Sequence, residues 1–123
     1  MSKINTFLPS KSPLCIRTVN LQNIIKCCYG LSEAEVNIFM YLFKNGEKDI
    51  KELSKKFNRD PSVIYRMLQN LLQCGLVTKK LAKSKIGRSY YVYSSITREE
   101  LKNCLEEIIE RWYKTVKNFI LTL

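Results

Sequence analysis

The sequence predicts a mainly α fold of the α+β kind, in which short helices and one long C-terminal helix carry a single β-hairpin. Three observations predict it. Apolar residues recur at helical spacing through several successive stretches, most of which open on a capping residue. The period turns strand-like after Gly75 and stays so to about Ser95. Finally, Leu101, Leu105, Ile108, Trp112, Val116, Phe119 and Leu123 are spaced by 4, 3, 4, 4, 3 and 4, the seam of one long helix.

Residues 1–18 hold Pro9, Pro13 and scattered Ser and Lys without a clear period, and are expected to form an arm that orders only on contact. The folded domain is expected over residues 19–97 and the long helix over 98–123. Leu21, Ile24, Ile25 and Cys28 form one face of a short helix that stops at Gly30. Ser32 and Glu35 stand at capping-box spacing, so a second helix starts there and runs to Asn45-Gly46. Val36, Phe39, Met40 and Phe43 share its stripe, but Ile38, Tyr41 and Leu42 are apolar too, which predicts cover on more than one side.

Asp49 can cap a third helix with Ile50, Leu53 and Phe57 facing inward, and Asn58-Arg59 is then a turn. Asp60-Pro61 opens a fourth helix, because Asp accepts from unpaired N–H groups and Pro at the first position forfeits no hydrogen bond. Gly75 closes it in the left-handed conformation. "LVTKKL" and "YYVYSS" read as strands flanking "AKSKIGRS", a long basic loop over residues 82–89 with Gly87 near its tip. Thr97 and Glu100 form a second capping box for the last helix.

The fourth helix is unusual on its outer side. Val63, Ile64, Met67, Leu68, Leu71 and Leu72 make a broad apolar face that pins it to a core, while Ser62, Tyr65, Arg66, Gln69 and Gln73 stand opposite with no acid after Asp60. A merely solvated face is usually rich in Glu and Lys. These side chains suit phosphates and base edges instead: Arg can bind guanine bidentately, Gln adenine, and Ser or Tyr can donate to phosphate. A short helix and tight turn before it and a basic hairpin after it make a winged helix-turn-helix, with the fourth helix as recognition helix.

The charge agrees. The net charge is +10, and between Leu53 and Arg98 ten basic residues face one acid, Asp60. Lys83, Lys85 and Arg88 on the wing, with Lys55, Lys56, Arg59, Lys79 and Lys80 around turn and strand, are expected to supply affinity through phosphates. The recognition-helix residues are expected to supply specificity. A mobile surface loop is the alternative reading of the wing.

The run from "LSEAEVNIFMYL" through "KDIKELSKKFNRDPSVIYRMLQNLLQCGLV" to "GRSYYVYSSITREELKNCLEEIIERWYKTVKNFI" resembles the archaeal TrmB-like and MarR-like winged-helix transcription regulators, from about Leu21 to Leu123. The resemblance implies a homodimer on double-stranded DNA, with helix 60–74 in a major groove and the wing on the backbone or in the minor groove. Full-length TrmB proteins add a sugar-binding domain, and the sequence ends before one could begin. No small-molecule effector is therefore expected. The long helix would reach about 36 Å at 1.5 Å per residue, and its seam of Leu101, Leu105, Ile108, Trp112, Val116 and Phe119 is expected to pair with a second copy, together with the first helix; packing on helices one and two of its own chain is the alternative.

Other classes fit less well. A winged helix acting as a protein-interaction subunit of transcription or replication machinery is the main alternative. Single-strand RNA readers display aromatics on an open sheet, whereas Tyr90, Tyr91 and Tyr93 are expected in a packed hairpin. An enzyme is not expected: histidine is absent, and no metal cluster, phosphate-cradling loop or nucleophile–base pair is visible. No cofactor is expected. No stretch is apolar enough for a membrane span and no secretory signal opens the chain, which predicts a cytoplasmic protein. Of the five cysteines, the vicinal Cys27 and Cys28 are candidates for redox sensing, set against simple burial as reduced thiols.

Overall fold

In the computed structural model, residues 19–123 are described, and the arm expected over residues 1–18 lies outside them, with Cys15. The element order is α1 (Leu21–Tyr29), α2 (Glu33–Asn45), α3 (Ile50–Phe57), α4 (Pro61–Gln73), β1 (Val77–Lys83), β2 (Ser89–Ser95) and α5 (Arg98–Leu121). This is the mainly α winged-helix arrangement expected.

Local chemistry sets the helix ends. Glu35 N–H donates to the Ser32 hydroxyl at 3.2 Å while Ser32 N–H donates to Glu35 at 2.9 Å, which closes the capping box of α2. Thr97 and Glu100 repeat the device at α5, and Asp49 is joined by Glu52 in a third box at α3. At the end of α4, Leu76 N–H donates to the Leu71 carbonyl at 3.1 Å and Gly75 N–H to the Leu72 carbonyl at 3.0 Å. Gly75 takes φ 77, the left-handed residue that this paired-bond ending requires.

The core lies where α2 meets α4, the hairpin base and the first turns of α5. Ile25, Phe39, Leu53, Ile64, Leu68, Leu71 and Tyr93 are almost fully buried there. Val36, Ile38, Phe39, Met40 and Leu42 of α2 are all buried, so it is the central helix. Edge-on packing of Tyr41 against Phe57, centroids 5.6 Å apart, joins α2 to α3. Truncating Leu68 to Ala would cost about 2–5 kcal/mol, because the cavity left beneath α4 cannot collapse fully.

The hairpin is antiparallel, in register from Val77↔Ser95 to Lys83↔Ser89. Tyr93 also exchanges backbone bonds of 2.8 and 2.9 Å with Lys48, an edge contact that adds a third, single-residue rung beyond β2. The outer edge of β1 is left without a strand partner among the described residues.

Two expectations need correction. The wing loop is shorter than residues 82–89: Ala82, Lys83 and Ser89 lie in the strands, because the ladder continues through polar residues of modest β-propensity once pairing has begun. The apolar seam of α5 does not all face outward either. Leu101 and Leu105 are buried in the chain's own core, so they anchor α5 and are not free for a partner. No helix among the described residues is long and apolar enough to cross a membrane.

Candidate nucleic-acid interface

α4 owes its direction to the turn before it. Asn58 adopts φ 51, a left-handed conformation that Asn tolerates better than most residues. The Ser54 hydroxyl donates to the Arg59 carbonyl, and Arg59 N–H donates back to the Ser54 carbonyl at 3.1 Å. The last turn of α3 therefore grips the chain as it enters α4. Sequence reasoning passed over Ser54, since a Ser inside a short helix gives no local sign that its hydroxyl will bond five residues on.

Asp60 accepts from the Ser62 hydroxyl at 2.7 Å and from Ser62 N–H at 2.9 Å. These bonds, the hydroxyl's foremost, hold the exposed Asp60 carboxyl below its ordinary value. The Ser62 hydroxyl, expected to meet phosphate, is thus committed to the cap. Beyond it Tyr65, Arg66 and Gln73 are exposed and Gln69 is half-buried, on the side opposite the buried Ile64, Leu68 and Leu71. Arg66 has no ion pair among the described residues.

The hairpin continues this surface. Burial first, then the neighbouring Tyr65 and Tyr91 phenols, push the Tyr93 hydroxyl above its usual range. Tyr93 is almost fully buried, whereas Tyr65 is 50% and Tyr91 49% exposed. Strand alternation places Lys79, Lys83, Tyr91 and Tyr93 on one face of the ribbon. The Lys79 ammonium lies 4.7 Å from the centre of the Tyr91 ring, an arrangement that directs the charge without neutralising it. The sequence predicts Tyr91 only as hairpin packing; its exposure comes from the register, which composition does not show.

The other expected cations divide. Lys80 points to the opposite face and pairs with Glu47 at 3.0 Å, so it is diverted from the surface it was expected to serve. Lys55, Arg59, Lys83, Lys85 and Arg88 are exposed and take part in no ion pair among the described residues. Lys56 is exposed with its ammonium 5.4 Å from the Tyr41 ring centre. From Pro61 to Arg98 the chain has no acid at all.

Past its anchored first turns, α5 leaves the body of the protein. Ile108 and Val116 are half-buried, while Trp112 is 53% and Phe119 66% exposed. Ile109, Tyr113, Ile120 and Leu121 are exposed as well, so the apolar surface is wider than the expected seam. A groove of about 470 Å³ runs between α5, the end of α1 and the end of α4, lined by Tyr29, Cys74, Cys104, Ile108 and Trp112 among others. Burial, then the Cys104 thiol, push the Tyr29 hydroxyl up to about 12.

At the end of α1, Cys27 is exposed and Cys28 half-buried, both as free thiols. Burial and then the adjacent Cys27 push the Cys28 thiol up, which lowers its thiolate fraction near neutral pH. No group of side chains among the described residues is arranged to hold a metal ion.

Comparison with known proteins follows the same line. Residues 25–99 match the family model for the sugar-specific transcriptional regulator TrmB. The chain is similar to the uncharacterized protein MJ1503 of Methanocaldococcus jannaschii, 32% identical over 103 residues that cover 84% of this chain and 78% of the relative. Protein MJ1082 of the same organism, also uncharacterized, is 28% identical over 105 residues, covering 85% and 87%. A solved structure named as a possible transcriptional regulator from Methanosarcina mazei Go1 shares the fold at a TM-score of 0.73. Its identity is 19%, with 83% of this chain and 87% of that chain covered.

Proposed function

The chain belongs to the TrmB family of transcriptional regulators, and from that premise we propose that it acts as a homodimer binding specific sequences of double-stranded DNA. The observation that carries the proposal is the run from Pro61 to Arg98, which holds no acid and leaves Tyr65, Arg66, Lys79, Lys83, Lys85 and Arg88 exposed. In this reading α4 lies in the major groove. Arg66, Gln69 and Gln73 address base edges, and Tyr65 donates to a phosphate beside them. Ser62 contributes through the cap it braces. Lys79, Lys83, Lys85 and Arg88 follow the backbone beside the wing, with Lys55, Lys56 and Arg59 at the turn.

The exposed length of α5 supports the second part of the proposal. Trp112, Val116 and Phe119 form a seam that a second copy would bury, with Ile108 and the neighbouring groove at its base. Two recognition helices would then address half-sites about 34 Å apart, one turn of DNA.

The experiment is a salt titration of binding to random-sequence duplex DNA. If about six to ten phosphates are neutralised per dimer, affinity falls by roughly three to five decades between about 50 and 200 mM salt. A flat response overturns the proposal.

A further inference from the structure

Ile86 at the tip of the wing is among the most exposed large apolar residues of the described chain, at 86%. Single exposed aliphatic residues are ordinary on protein surfaces. This one is set apart by how it is held and by what surrounds it.

The tip is a braced three-residue loop, Lys85-Ile86-Gly87. Gly87 N–H donates to the Ser84 carbonyl at 2.9 Å, and Gly87 itself takes φ 82. Ser84 N–H then donates to the Arg88 carbonyl at 2.8 Å, and Arg88 N–H returns to the Ser84 hydroxyl at 3.1 Å. A turn followed by a left-handed Gly is a well-formed hairpin closure. It presents Ile86 at the apex with little freedom left to lose on binding.

Cations surround the apex. Lys83, Lys85 and Arg88 are all exposed. Lys83 closes the ladder opposite Ser89, and just beyond it Ser84 N–H reaches the Arg88 carbonyl, so Lys83 and Arg88 flank the apex from its two sides. Such an arrangement suits a narrow groove whose two walls are both lined by phosphates. The minor groove, about 6 Å wide, admits only the tip of a hairpin. An aliphatic side chain delivered there has no hydrogen bond to offer a base edge, and what it can do is slip between two bases.

We propose that Ile86 is a wedge, inserted from the minor groove into a pyrimidine–purine step, which unstacks and bends the DNA. This rests on the duplex-binding reading above. Specificity would then come partly from a position where the protein reads deformability instead of hydrogen-bonding groups. TA and CA steps yield at lowest cost and stiff A-tracts resist.

The test needs no operator. A short duplex of alternating A and T carries 2-aminopurine in place of some adenines, and its fluorescence rises on unstacking; binding is followed separately by anisotropy. The intact protein is expected to raise fluorescence on this duplex and not on a labelled homopolymeric A-tract. Ile86→Ser is expected to lose the rise while still binding, and Ile86→Met to keep it; at an exposed apex neither change touches the core. Binding without a rise, or a rise that survives Ile86→Ser, overturns the wedge and leaves the DNA reading standing. No anisotropy change on either duplex overturns both.

Discussion

The Asn70 side-chain amide on α4 donates to the Glu35 carboxylate on α2, whose other oxygen already closes the helix cap at Ser32. One carboxylate thus caps the central helix and ties α4 to it.

The tie has a pH signature. Burial pushes Glu35 up, but bonds from Ser32 N–H, Asn70 and the Ser32 hydroxyl outweigh it and hold the carboxyl below its ordinary value of 4.5. A depressed folded-state pKa contributes stability that is present above the unfolded value and lost as pH falls through the folded one. Stability to urea is expected to hold above about pH 5.5 and to decline below about pH 4.5. Glu35→Gln, whose carbonyl can still accept at Ser32 while its amide keeps the Asn70 tie only if the Asn70 amide turns to offer its oxygen, is expected to flatten part of that decline. Asn70→Ala is expected to cost about 1.5 kcal/mol near neutral pH. An acid limb unchanged by Glu35→Gln would assign the decline to other groups.

Arg66→Ala and Gln69→Ala are expected to weaken binding to a selected site by about 1–3 kcal/mol while leaving random duplex DNA nearly unaffected. Lys83→Ala and Arg88→Ala should instead weaken both alike and lower the salt slope by about one each. Competition binding against random DNA separates the two patterns. Equal losses on both DNAs for Arg66→Ala would make it a phosphate contact.

Glu47 pairs with Lys80 on the face of the ribbon opposite Lys79 and Lys83. Glu47→Gln is expected to tighten binding to random duplex DNA and to steepen the salt slope by up to about one per protomer. Folding stability should change by less than about 1 kcal/mol, because both partners are largely exposed. Unchanged affinity would mean that Lys80 lies too far from the phosphates to serve them.

Trp112→Ala combined with Phe119→Ala is expected to move the protein from dimer to monomer in sedimentation, at a cost of at least about 2 kcal/mol of association. The monomer should keep its helical signal, since Leu101 and Leu105 still anchor α5. An unaltered sedimentation coefficient would remove α5 as the pairing surface.

Local chemistry was legible in the sequence, and non-local pairing was not. Ser32 with Glu35, Thr97 with Glu100, and Asp60-Pro61 mark helix starts because each bond spans only a few residues. The outward face of α4 was legible for the same reason, being one period of one helix. Lys80 could not be seen to meet Glu47, nor Asn70 to meet Glu35, since such pairs form only when separate elements pack. The seam of α5 was visible as a period, but a period cannot tell which of its turns face the chain's own core. Leu101 and Leu105 therefore read like Trp112 and Phe119 until α1 stands beside them.

The outer edge of β1, without a strand partner among the described residues, bears on how every charge substitution in the wing should be interpreted. An open row of backbone donors and acceptors invites strand addition from another molecule, and lysines along such a row discourage it by repulsion and solvation. Lys79, Lys80 and Lys83 occupy that strand. Neutralising several of them together would weaken the grip on DNA and also remove a guard against aggregation, so a variant that fails to bind must first be shown to remain in solution.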